Sequence, residues 1–326
     1  MAQDPRVLLQ RVRPLQAMTC IPLPPRDVPY HHALTMLSRA CPQAEKALSG
    51  ASSGFSFFGG RTEKYENAAD LYSQAANAFR MQKQNKEAGL AFEKAASIQT
   101  QNLNEPDDAA NTLQEAFKVY RKTDPEDAAR VLSTAIQHYV LKGNLRRAAT
   151  QQQHLAEVYE VELGDQKQAL EAYEKAAEWF ESDNAEALAN KYFLKVADLS
   201  ALEGDYHKAI DLFERVARSS INNRLMRYSV NEYFLKAGIC HMATRDLVSA
   251  SRALEVYSDI DNQFPTTREY QLLSDLVQAI QEGNEKDFSD KLLQYDRLSR
   301  LDKWKTTLLL RVKDTIEGGE EEEDFS

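Results

Sequence analysis

A short block of small and aromatic residues that keeps returning between Lys64 and Ala217 constrains this chain more than any other feature. Ala91-Phe92-Glu93-Lys94-Ala95-Ala96 comes back as Ala172-Tyr173-Glu174-Lys175-Ala176-Ala177. Weaker copies are Leu71-Tyr72-Ser73-Gln74-Ala75-Ala76 and Leu212-Phe213-Glu214-Arg215-Val216-Ala217. A small-residue anchor recurs at Ala69, Ala88, Ala109, Ala128, Ala148, Ala169, Leu188 and Ala209. The step is about 20 residues, so two helices and their turns make a unit of roughly 40. Such a unit cannot bury its apolar stripe alone and must stack on its neighbours.

The period within each block is helical. Leu71, Tyr72, Ala75, Ala76 and Phe79 share one face at i, i+4, i+8 spacing. Alanines let neighbouring helices approach, and one Phe or Tyr per helix fills the space above them. Glu105-Pro106, Asp124-Pro125, Gly143-Asn144, Gly164-Asp165 and Gly204-Asp205 punctuate the runs where one helix stops and the next is capped. The expected fold is all-α. It is a tetratricopeptide-like superhelical array of antiparallel helix hairpins, with a unit longer than the 34 residues of that repeat. The array spans 61–249, and a C-terminal helical bundle over 250–317 closes its open end.

Apolar residues make up 43 % and charged residues 28 % of the 326, with ten prolines, the composition of a helix-rich folded chain. A net charge of −10 argues against a general nucleic-acid binder, which needs clustered Lys and Arg. No apolar run is long enough to span a membrane and no secretory signal is evident. Cys20, Cys41 and Cys240 have neither metal-ligand spacing nor a paired framework, which places the chain in a reducing cytoplasm.

Residues 1–60 differ from the rest. Val7–Gln10 and Ala44–Leu48 each read as a helical turn, and between them Arg11–Gln43 holds six of the ten prolines, including Ile21-Pro22-Leu23-Pro24-Pro25. Removing that stretch joins the two turns into one amphipathic helix. It is therefore either an insert foreign to the fold, such as a translated intron, or a natural disordered loop. The glycine-flanked loop 50–60 carries Phe55, Phe57 and Phe58 without helical period. The rings either tuck onto the first hairpin or dip into a membrane surface, where each adds roughly 1.5–3 kcal/mol of burial to a weak, reversible attachment. Downstream of the repeats, Ser219–Arg224 is a polar break and Tyr228–Met242 a long helix. The chain ends in Gly318-Gly319 and an acidic run, Glu320, Glu321, Glu322, Glu323 and Asp324, before Phe325, which reads as a disordered interaction tail.

Catalytic chemistry is not legible. There is no phosphate-binding loop, no dinucleotide glycine fingerprint and no His-Glu-x-x-His helix. The six histidines are scattered, and His138 and His241 read as packed or surface residues of apolar helices. No cofactor or metal is expected, and the chain reads as a scaffold rather than an enzyme.

Four stretches carry a more specific likeness. Asn190-Lys191-Tyr192-Phe193-Leu194-Lys195-Val196-Ala197-Asp198, Asp205-Tyr206-x-Lys208-Ala209-Ile210, Tyr233-Phe234-Leu235-Lys236-Ala237 with Cys240-His241, and Arg300-Leu301-Asp302-Lys303-Trp304-Lys305-Thr306-Thr307 resemble the soluble NSF attachment proteins, closest to a fungal alpha form. The likeness covers Asp4–Gln10 and Ala44 to the C-terminus. It implies an adaptor that coats an assembled four-helix SNARE bundle and recruits and stimulates the NSF-type AAA+ ATPase, on the cytoplasmic face of membranes as a peripheral protein. On that basis Lys191 and Lys195, four apart on one helix face, meet the acidic bundle; by pattern alone they are an ordinary solvated face. Arg146 and Arg147 match a basic pair, and Leu225 and Tyr228 match apolar contacts, although by pattern alone these two are core residues. The resemblance also assigns the phenylalanine loop to the membrane and residues 320–325 to the ATPase. Phe325 stands where family members carry leucine, so its stimulatory role rests on apolar character. A tetratricopeptide-type peptide-docking co-chaperone is the rival reading, and the longer repeat counts against it. The gamma form of the same family is less well matched, and a helical-repeat enzyme has no residues to support it.

Overall fold

The computed structural model describes residues 43–47, 49 and 60–323, and all regular structure among them is helical. The array runs through α1 (Gly60–Met81), α2 (Asn85–Ile98), α3 (Pro106–Tyr120), α4 (Pro125–Leu141) and α5 (Leu145–Glu157). It continues through α6 (Gln166–Ser182), α7 (Glu186–Glu203), α8 (Tyr206–Ser220), α9 (Val230–Ala243) and α10 (Leu247–Ile260). The chain then passes through α11 (Arg268–Gln281), α12 (Glu285–Leu298) and α13 (Lys303–Glu323). Helices α2, α4, α6 and α8 begin 40, 41 and 40 residues apart, so the unit inferred from the sequence is the unit of the fold.

The small anchor has a definite place. Ala88, Ala109, Ala128, Ala148, Ala169 and Ala209 each occupy the fourth position of a helix and are buried. Each donates its N–H to the carbonyl of the residue just before the helix, as in Ala128 to Asp124 and Ala169 to Asp165. In α7 that place belongs to Ala189 rather than to the expected Leu188, which is only half-buried. The first turn is where adjacent helices come nearest, and a methyl group fits there where a leucine does not. Closer approaches need glycine. A Cβ on Gly89 would lie 2.3 Å from the Tyr120 ring, and one on Gly238 would lie 2.6 Å from Leu273. The aromatic that fills each helix is absent from α5, which buries Leu155 and Gln152 instead. Above them a groove of about 340 Å³ opens, lined by Ile136, Tyr159 and Trp179 among others.

Tight turns join the helices. Gly143, Gly164 and Gly204 take left-handed backbone angles at the predicted breaks, and Lys83, Asn104, Asn184 and Arg245 do so where no glycine marks the turn. Asp165 and Asp205 cap α6 and α8 by accepting from the N–H groups of Gln168 and Lys208. Two helices end in a widened π turn, Gln99–Leu103 after α2 and Val158–Leu163 after α5.

Ion pairs bind one unit to the next. Arg80–Glu115, Arg130–Glu93, Arg121–Glu162, Lys195–Glu160, Lys208–Glu174, Arg215–Glu181 and Lys236–Asp198 join residues 34 to 41 apart. Each is a modest surface contribution.

Residues 250–317 do not have a core of their own. Helix α10 starts at Leu247, and one continuous apolar cluster runs from Ala149 to Ile316. Helix α13 returns across α7 and α9: the Trp304 indole N–H donates to the carbonyl of Asp198 at 2.9 Å. Lys305, almost fully buried, pairs with Glu232 at 2.6 Å and Asp302 at 3.2 Å. The expected disordered tail differs as well, because α13 carries on through Gly318-Gly319 to Glu323. Each glycine costs a helix about 1 kcal/mol, but extending a formed helix adds one hydrogen bond per residue. Residues 1–42, and with them the proline-rich stretch Arg11–Gln43 up to its last residue, lie outside the described residues, as do Phe55, Phe57, Phe58, Asp324 and Phe325.

Candidate partner-docking site

Because successive helices are antiparallel, the junctions after α4, α6, α8 and α10 all lie on one edge of the array. Ion pairs across that edge confirm the placement: Arg146 to Asp183 at 3.8 Å, and Arg227 to Asp261 at 3.5 Å. The edge therefore carries Arg146 and Arg147 at the start of α5, the start of α7, and the long α8–α9 junction. That junction is Ile221–Ser229, which holds one short 3-10 turn, Arg227–Ser229.

Leu225 and Tyr228 sit in this junction with 89 and 91 % of their surface exposed. Their pattern-based placement in the core is thus wrong. The long helix expected from Tyr228 begins only at Val230, so neither side chain is carried onto a buried helical face. Two large apolar side chains stand together here, Leu225 between Arg224 and Arg227 and Tyr228 directly after Arg227, and both arginines are also exposed. The paired arginines had no periodic signal to mark them; the local string Arg-Leu-Met-Arg-Tyr is their only trace in the sequence.

Lys191 and Lys195 project from α7 into a groove of about 300 Å³, which Glu157, Tyr173, Tyr192, Leu194 and Asp198 also line. They are not equivalent, and the expectation of two solvated lysines holds for only one. Lys191 is exposed, lies 5.1 Å from the Tyr192 ring centre, and makes no ion pair among the described residues. Lys195 is half-buried and bound 2.6 Å from Glu160. The π turn after α5 creates this difference, since it aims Glu160 back at α6 and α7 while Val161 faces outward. Glu160 also accepts from the Tyr173 hydroxyl at 2.8 Å. Burial, then that hydrogen bond, pushes the Tyr173 phenol far above its ordinary range, so it stays a donor.

Arg147 lies 5.9 Å from the Tyr139 ring centre without an ion pair among the described residues, while Arg146 keeps 69 % of its side chain exposed beside Asp183. One turn beyond Lys195, Asp198 pairs with Lys236 at 2.7 Å, and Lys236 is held over the Trp304 ring at 4.8 Å. Burial raises the Asp198 carboxyl in spite of that lysine. The helix bearing the two lysines is thereby fixed to α9 and α13.

Among the described residues there is no cluster of metal-ligating side chains, and no helix is long and apolar enough to cross a membrane. Stacked hairpins with an exposed apolar pair and unpaired cations along one edge define a helical-repeat docking protein. Its family is shown by comparison: the family model described as "Soluble NSF attachment protein, SNAP" matches residues 37–317. The chain belongs to the soluble NSF attachment protein family. It is 54 % identical over 280 residues to a Neurospora crassa protein described as a "probable vesicular-fusion protein sec17 homolog", an alignment covering 86 % of this chain and 96 % of the relative. A Schizosaccharomyces pombe protein of the same description is 50 % identical over 280 residues, with the same coverages. The human alpha-soluble NSF attachment protein is 38 % identical over 280 residues, covering 86 % of this chain and 94 % of the relative.

Proposed function

We propose that this chain binds the assembled four-helix SNARE bundle and recruits and stimulates an NSF-type AAA+ ATPase that takes the bundle apart. It is an adaptor of a vesicular-fusion family, not an enzyme. The observation that carries the reading is the exposure of Leu225 and Tyr228 beside Arg224 and Arg227, on the edge that also bears Arg146 and Arg147. Covering such side chains on a partner removes apolar surface worth roughly 1.5–3 kcal/mol each. Lys191 and Arg147, which make no ion pair among the described residues, remain available to an acidic rod and speed its encounter. The phenylalanine loop supplies weak peripheral attachment to membrane, and the acidic C-terminus with Phe325 supplies the contact to the ATPase. Titration with an assembled bundle and with its separated helices tests the function. Saturable binding to the bundle alone is expected; equal binding to the separated helices refutes it.

A further inference from the structure

Helix α5 breaks a pattern that its neighbours keep, one turn after the small anchor. At that place α2, α3, α4, α6, α7 and α8 bury Phe92, Leu113, Leu132, Tyr173, Phe193 and Phe213. In α5 the place belongs to Gln152, which is only 6 % exposed and makes no hydrogen bond among the described residues. A carboxamide so placed forfeits stability that a leucine would keep. It is not sealed in, because Gln152 lines the groove of about 340 Å³ framed by α4 and α6. Ile136, Leu155, Tyr159 and Trp179 give that groove its apolar wall, and Gln152 is the polar residue among its buried members. Glu171 and Lys175 stand exposed at the rim, and neither makes an ion pair among the described residues.

We propose that this groove binds an extended peptide segment of a partner protein, with one peptide unit paired to Gln152 and one aromatic side chain seated against Trp179 and Leu155. A carboxamide presents an acceptor oxygen and donor N–H groups side by side, the complement of a peptide N–H and C=O. An apolar cavity with a single placed polar group is the usual form of a specific small site. The segment is extended because a helix has already spent its backbone groups on itself. A flat nucleobase can also pair with a glutamine amide. A nucleotide's phosphate, however, needs clustered cations, and here Lys175 is the lining cation, offset by Glu171.

This groove shares no residue with the one that holds Lys191 and Lys195, which is framed by α5 and α7. In stacked hairpins alternate helices belong to opposite layers, so the two grooves open on opposite faces. Both can be filled at once. The peptide site therefore does not rest on the proposed function, and its test needs no SNARE bundle. It also gives Gln152 a reason to stand where leucine would pack better: the amide is unpaired in the free chain and paired in the complex.

The test follows the indole N–H resonances of the two tryptophans in the isotope-labelled full chain, assigned with Trp179→Phe. Trp304, packed edge-on against Phe213, is the internal control. The probes are N-acetyl-phenylalaninamide, N-acetyl-glycinamide and adenosine. The first should move the Trp179 resonance saturably, with a Kd on the order of millimolar for so small a ligand, and leave Trp304 in place. The other two should move neither. Gln152→Leu should melt about 2 °C higher and bind N-acetyl-phenylalaninamide about tenfold more weakly. No saturable shift with N-acetyl-phenylalaninamide in the unmodified chain overturns the site. Adenosine binding at lower concentration overturns the peptide in favour of a heterocycle, and an equal shift with N-acetyl-glycinamide overturns the aromatic seat. Unchanged affinity in Gln152→Leu overturns the pairing. A lower melt, or failure to fold, makes Gln152 a structural residue and overturns its role, while the probe series on the unmodified chain still decides the site.

Discussion

Lys191 and Lys195 lie one turn apart on α7, yet charge reversal should affect them differently. Lys195 is held 2.6 Å from Glu160, with side-chain exposures of 38 and 21 %. At that exposure the pair is worth about 0.5–1 kcal/mol. A glutamate in its place faces Glu160 and shares the groove with Glu157. Two like charges 4 Å apart near a protein surface repel by roughly 4 kcal/mol, most of which a half-exposed side chain escapes by rotating away. The expected net cost of Lys195→Glu is about 1–2 kcal/mol. Lys191 has no carboxylate partner among the described residues, so Lys191→Glu should change stability by less than about 0.5 kcal/mol. Urea and thermal denaturation followed by circular dichroism measure both, alongside bundle titration at two salt concentrations. Lys191→Glu should weaken binding with the melt intact; Lys195→Glu should lower the melt, and adding Glu160→Lys should recover part of the loss. Equal melts for the two single variants would refute the reasoning, since both lysines would then be equally solvated.

Three further outcomes follow from the same geometry. Leu225→Ala with Tyr228→Ala should leave melting within about 0.5 kcal/mol of the parent while weakening bundle binding, because these side chains touch no core; a lowered melt would return them to the interior. Gly238→Ala places a methyl group 2.6 Å from Leu273 and should cost about 1–3 kcal/mol by denaturation, with helical content preserved. Glu214 is raised by burial but pulled lower overall by hydrogen bonds from His241 and Tyr257 and by the charge of Arg218. Its folded value therefore lies below its unfolded one, so the stability it adds is present above the ordinary glutamate range and lost as pH falls through the folded value. Melting between pH 6 and pH 3, roughly the span of ordinary carboxylates, should show a shallower acid loss in Glu214→Gln.

The sequence by itself determined the helices, their period and most of their ends. These are local properties: an apolar stripe at 3.6-residue spacing, a small residue in each first turn, and proline, asparagine or aspartate at the breaks. The resemblance carried by Asn190–Asp198 and Arg300–Thr307 likewise needed no coordinates. The turns at Lys83 and Arg245 were hidden because a left-handed residue need not be glycine when the next helix holds it there. Leu188 was mistaken for the anchor of α7 because the choice between it and Ala189 depends on which one the neighbouring helix overlies. Tertiary structure alone decided the docking edge. Leu225 and Tyr228 have apolar side chains that any periodic reading would bury, and only the late start of α9 leaves them outside. Lys195 loses its freedom to a carboxylate 35 residues away, presented by a π turn that no pattern announced. Period and composition act along the chain, whereas exposure and pairing are fixed by whichever distant residue the stacked units bring near.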